Sequence, residues 1–162
     1  PLDIVSKLSK LYQDLLRPMQ VAIDMGSEKT RIAILSKGIV LREATYVGTQ
    51  TKTNDYIFFG DEAKEMYGKT PKFIEISKPI ESSILSDFDG FVALLQHFLK
   101  KSVLPYYTSG SLFKAGLVGY TIIPSSASEV EQKATKEALK KAGFSKVYLI
   151  EKSFCNALSA KT

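Results

Sequence analysis

The residues with the clearest chemical potential share one turn, Asp24-Met25-Gly26-Ser27-Glu28-Lys29-Thr30, between two apolar runs at residues 21–23 and 32–35. Gly26 carries no Cβ, so the backbone there can come close to an anion. Successive N–H groups from Gly26 to Lys29 can then point at phosphate oxygens, with the Ser27 and Thr30 hydroxyls beside them. Asp24, at a strand end, is placed to hold magnesium through water, because that ion binds carboxylates while keeping much of its hydration. The same residues also suit a plain hairpin that binds nothing, since Asp and Gly are ordinary turn formers.

Other chemistries are excluded by what the chain lacks. His97 is the only histidine, so no site built on several histidines exists, and its position off the apolar stripe of a helix makes it a partly exposed helix residue. Cys155 is the only cysteine, which rules out an internal disulfide and suits a reducing cytoplasm. The net charge of +5 comes from scattered lysines, a solvated surface with at most mild attraction to anionic lipid or nucleotide, and no nucleic-acid partner is expected. No apolar run approaches the roughly 20 residues that span a bilayer. Lys7, Lys10, Asp14 and Arg17 interrupt any secretory leader, so a cytoplasmic protein is expected.

The turn must be positioned by a sheet. Strands are expected at Gln20–Asp24, Arg31–Leu35 and Ile39–Arg42, with Gly38 supplying positive φ in the second turn. Residues 45–79 read as a small inserted unit, with strands at Tyr46–Thr49, Tyr56–Phe59 and Phe73–Ser77 around a short helix in "GDEAKEMYG". From Asp87 the spacing of Phe91, Leu94, Leu95, Phe98 and Leu99 predicts a helix with one buried stripe. "PYYTSGS" reads as a loop, with Tyr106 and Tyr107 as packing residues. A buried strand follows at Gly116–Ile123, then a helix opened by a Ser128/Glu131 capping box and closed by Gly143. Another strand is expected at residues 146–150, and "EKSFCNALSA" begins a last helix. Residues 3–17 form an amphipathic helix stopped by Pro18, packed on the domain or a neighbour, or lying on a membrane surface. Strands that meander and then alternate with helices imply an α/β fold with a mixed sheet flanked by helices.

The stretch from Val21 to Ala160 resembles the first lobe of bacterial actin-like proteins, most closely the MreB group. "AIDMGSEKT" is similar to that family's phosphate motif Asp-Leu-Gly-Thr-Ala-Asn-Thr, and "KGIVLREAT" to its Lys-Gly-Ile-Val-Leu-Asn-Glu-Pro-Ser. "GDEAKEMYGKTP" is similar to Gly-x-Glu-Ala-Lys-x-Met-x-Gly-Arg-Thr-Pro, and "KPIESSILSDFD" to Arg-Pro-Met-Lys-Asp-Gly-Val-Ile-Ala-Asp-Phe. "IPSSASEVEQKA" and "VYLIEKSFCNALSA" continue the likeness in the same order.

The resemblance implies a ribonuclease-H-like lobe of the actin, chaperone and sugar-kinase superfamily, with its core at residues 19–44 and 80–162. An N-terminal helix at residues 1–18 and a small α+β subdomain at 45–79 complete the division. It further implies an ATP-binding, filament-forming cytoskeletal protein of cell shape, at the inner face of the membrane, that associates with itself and with membrane-bound shape or division proteins. By position, Gly26, Ser27, Glu28, Lys29 and Thr30 inherit the phosphate contacts, and Asp24 the magnesium. Leu112 and Phe113 match a lipid-contacting loop, or tuck under it as satellite core; Val130 and Glu131 match a filament interface, or simply a capped helix start.

Two departures matter. Lys29 replaces an Asn, and serves either as an extra phosphate cation or as a surface turn residue. Lys152 replaces the second acid that orients the attacking water, and an ammonium cannot accept that water's proton near neutral pH. Glu151 is the remaining catalytic candidate, one residue earlier and about 100° away on a helix. A degenerate scaffold without ATPase activity is the alternative reading. The second phosphate turn and the adenine pocket of such proteins lie in a second lobe, so this chain alone is expected to bind ATP weakly or not at all.

Overall fold

The computed structural model describes residues 4–9, 17–82, 84–107 and 116–153. Residues 4–9 are helical (α1), and Ile4, Val5 and Leu8 there are exposed. The first three strands show why a sheet forms. In β1 (Met19–Met25) Val21 and Ile23 point inward; in β2 (Lys29–Ile34) Thr30, Ile32 and Ile34 do the same. β3 (Gly38–Ala44) adds Leu41 after a turn in which Gly38 has φ +78°. This period of two buries one face of the sheet and leaves the other to polar and small residues.

A small antiparallel sheet follows, built from β4 (Val47–Gln50), β5 (Tyr56–Phe59) and β6 (Ile74–Ser77) in the order β5-β4-β6. Helix α2 (Gly60–Met66) packs beside it, with Tyr46 and Ala63 buried together and Phe58 and Ile76 against them. Gly60 has φ +66°, a left-handed conformation that favours glycine.

A two-residue hairpin, β7 (Ile80–Glu81) and β8 (Ile84–Leu85), leads into α3 (Phe88–Ser102). Asp87 caps α3 by accepting a bond from the Gly90 N–H at 2.9 Å. After α4 (Leu104–Tyr107) come β9 (Leu117–Ile123), α5 (Glu129–Ala142) and β10 (Lys146–Glu151). The main sheet has the order β10-β9-β1-β2-β3, antiparallel across β1, β2 and β3 and parallel across β1, β9 and β10. Parallel neighbours need crossovers, and α5 supplies the one between β9 and β10. The stripe Phe91, Leu94, Leu95, Phe98 and Leu99 of α3 is buried in one core with Val21, Ile23, Ile32, Ile34 and Leu139. His97 lies outside that stripe, exposed, with its ring stacked 4.6 Å from Phe59.

The mixed sheet with helices is the expected fold class. Several local expectations are corrected. Lys29 and Thr30 belong to β2, because the turn itself closes within residues 26–28. Residues 105–107, expected as loop, form a helical turn with Leu104, and the β7–β8 hairpin was not expected because two-residue strands carry no periodicity. Glu151 ends β10 in place of opening a helix; Lys152 and Ser153 are helical, and the rest of that predicted helix lies outside the described residues.

Candidate functional site

The β1–β2 turn is held from within. The Gly26 N–H donates to the Lys29 carbonyl at 3.1 Å, and a Cβ on Gly26 would lie only 2.9 Å from that oxygen. Glycine is therefore required by the turn's own closeness, and its amide is engaged by backbone where an anion contact was expected. The Thr45 hydroxyl donates to the Gly26 carbonyl at 2.7 Å, and the Thr30 hydroxyl lies 2.9 Å from the Thr45 oxygen. With the Thr45 hydrogen given to Gly26, Thr30 donates the second bond. Both threonines are buried, so Thr30 braces the turn from beneath and does not face an anion. Lys29 is exposed on β2, opposite Ala44.

Glu28 ties the turn to the small sheet. Its carboxylate forms an ion pair with Lys78, the Lys64 ammonium lies 3.9 Å away, and its carbonyl accepts the Thr45 N–H at 3.1 Å. The two ammoniums lie over the Tyr46 ring, Lys78 at 5.2 Å and Lys64 at 5.8 Å from its centroid. Hydrogen bonding from Lys78 holds the Glu28 carboxyl below its ordinary range. The bond to Glu28, with a second to Tyr46, pushes Lys78 up to about 12. Beside a phosphate the carboxylate of Glu28 is repulsive, so only its backbone suits the anion contact expected of it. Lys64, Lys78, Tyr46 and Thr45 escaped sequence reasoning because they meet the turn only in the folded chain.

A cleft of about 640 Å³ opens at the carboxyl ends of β1, β9 and β10, with Asp24, Gly26, Arg31, Ser126, Glu131 and Lys152 in its wall. Asp24 and Arg31 are cross-strand partners, and Arg31 Nη1 donates to Asp24 Oδ2 at 2.8 Å. Arg31 is the wall residue most readable from sequence: counting outward from the Gly26–Lys29 closure places it opposite Asp24. Glu131 closes the start of α5, accepting the Ser128 N–H at 2.6 Å and the Ser128 hydroxyl at 2.8 Å. Those bonds, the backbone one first, hold its carboxyl below the usual range. Val130, one residue earlier, is 78% exposed and points away from the cleft wall. Glu151 is exposed at the end of β10 and accepts from the Ser153 hydroxyl at 3.4 Å, while Lys152 enters the wall. Leu112, Phe113 and the Tyr107 side chain lie outside the described residues.

The expected magnesium does not fit these groups. The Asp24 carboxylate is already compensated by the Arg31 guanidinium, so a divalent ion there would lie beside a like charge.

Residues 18–162 match the family model for MreB/Mbl protein. The chain belongs to the MreB/Mbl family. Among MreB/Mbl relatives, the cell shape-determining protein Mbl of Bacillus subtilis (strain 168) is 33% identical over 140 residues, covering 86% of this chain. The cell shape-determining protein MreB of Haemophilus influenzae is 32% identical over 145 residues, covering 87% of this chain. In both cases the chain spans 40% of the relative's length. The crystal structure of MreB5 of Spiroplasma citri bound to AMPPNP superposes with a TM-score of 0.73 at 23% identity, over 90% of this chain and 42% of that one. The MamK double helical filament gives 0.64 at 18% identity, over 83% and 41%. These solved structures establish the actin-like fold of the described MreB/Mbl lobe.

Proposed function

We propose that the chain is the first lobe of an ATP-binding, filament-forming actin homologue that acts at the inner face of the cell membrane in determining cell shape. The observation that carries this reading is the Gly26 turn, which opens onto a cleft walled by Arg31 and Lys152 in a chain of the MreB/Mbl family. ADP-bound and AMPPNP-bound MreB5 share the fold, and a MamK relative forms a double helical filament, which supports nucleotide binding and self-association here. In this reading residues 19–44 and 80–162 are the core subdomain, residues 45–79 the insertion and residues 1–18 an N-terminal amphipathic helix. Ser27 and the amides of Glu28 and Lys29 contact phosphate, with Gly26 and Thr30 shaping the turn behind them. Leu112 and Phe113 contact lipid, and exposed Val130 with Glu131 contributes to a filament interface.

The test is co-sedimentation of the full-length protein with ATP and with vesicles containing anionic lipid. Pelleting that depends on nucleotide and increases with vesicles is expected; no pelleting with any nucleotide or lipid would remove the reading.

One observation favours the second reading, a scaffold of the same fold that does not turn ATP over. Lys152 stands in the cleft wall where the family's water-orienting acid is expected, and Glu151 is displaced onto the strand end. Phosphate release is expected to be near background in the full-length protein and to stay there in Lys152→Glu; restored turnover in that variant would mark a minimally damaged enzyme instead. Rapid release by the unaltered protein would exclude the scaffold.

A further inference from the structure

We infer that the cleft binds the phosphate chain of its nucleotide through the Arg31 guanidinium and the Lys152 ammonium, without a magnesium ion held at Asp24. The inference rests on the nucleotide reading above and concerns what supplies the positive charge in that site.

Arg31 and Asp24 face each other across β1 and β2, joined at 2.8 Å, and both line the cleft. A divalent ion seated on Asp24 must displace the guanidinium or lie beside it, a like-charge contact that costs energy in a partly enclosed wall. Phosphate meets the opposite situation. A guanidinium offers several N–H donors in a planar fork, so Arg31 can keep its bond to Asp24 and present the rest to phosphate oxygens. The side chains are 47% and 45% exposed, so neither is locked by burial and the fork can turn toward a ligand. Lys152 adds a second cation to the same wall. The other carboxylate there, Glu131, is engaged with the Ser128 N–H and hydroxyl of its own helix cap. The two acidic groups are thus engaged within the protein, and the two basic side chains share the cleft wall with them.

The experiment is calorimetric titration of the full-length protein with ATP, in magnesium and in EDTA at matched ionic strength. The unaltered protein is expected to bind in both, with dissociation constants within about threefold. Arg31→Leu is expected to weaken binding in EDTA by about tenfold or more, the size of one lost charge-assisted contact, and to lose less in magnesium. Asp24→Asn separates the two roles and guards against a misfolded Arg31 variant: if Arg31 holds the phosphates, this change leaves binding in EDTA equal or tighter. Binding by the unaltered protein only in magnesium overturns the inference while leaving the nucleotide reading intact, as does a loss of magnesium-supported binding in Asp24→Asn alone. Binding in neither condition overturns both.

Discussion

Thr121 is wholly buried in β9, and its hydroxyl is the buried side-chain polar atom without a partner among the described residues. Desolvating a hydroxyl with no compensating bond is unfavourable, and valine has the same branched shape. Thr121→Val is expected to raise stability by about 1 kcal/mol, read as a higher urea midpoint at unchanged m. The paired threonines differ from it in consequence: Thr30 and Thr45 satisfy each other and the Gly26 carbonyl, so their hydroxyls shape the turn. This contrast explains why the candidate site was only partly readable beforehand. Residue type marked Asp24, Gly26 and Thr30 as chemically able. Which way each group points depends on the register of β2, and an inward Thr30 and an Arg31-bound Asp24 follow once that register is known.

Longer elements announced themselves well. The stripe of α3, the capping box of α5 and Gly143 after it are local patterns, and each is set by residues within a few positions of one another. Short pieces were missed for the converse reason: β7, β8 and α4 span only two to four residues, too few to show a period. The α5 cap carries its own test. Ser128→Ala removes the acceptor of the Glu131 N–H and is expected to cost about 1 kcal/mol. Because Ser128 holds the Glu131 carboxyl below its ordinary range, the cap's electrostatic part is complete above about pH 4.3 and is lost as pH falls through the lowered value. The stability gap between the unaltered protein and Glu131→Gln is therefore expected to narrow in acid, by thermal melts taken from neutral pH downward.

Across the molecule, the two sheets are joined by polar contacts at their seam. The Tyr56 hydroxyl on β5 donates to both Asp87 oxygens at 3.2 Å, and Asp61 of α2 accepts the Ala44 N–H of β3 at 2.8 Å. Burial, reinforced by Asp87, pushes the Tyr56 hydroxyl up to about 12. The protonated form is thus favoured in the fold, so its contribution is complete below about pH 10 and is lost as pH rises from there through the folded value of about 12. Tyr56→Phe is expected to cost about 1 kcal/mol and to speed amide exchange in β4, β5 and β6 more than in the main sheet. Uniform acceleration would mean that the seam has no separate opening.

The capping box has one more effect. A helix start normally presents unfilled N–H groups and a partial positive pole, a ready seat for an anion. Here Glu131 fills that seat from inside, beside the opening. The start of α5 is therefore already occupied from within the protein, and the positive charge of the cleft wall rests on the side chains of Arg31 and Lys152. Any anion taking that seat would first have to displace the Glu131 carboxylate from Ser128.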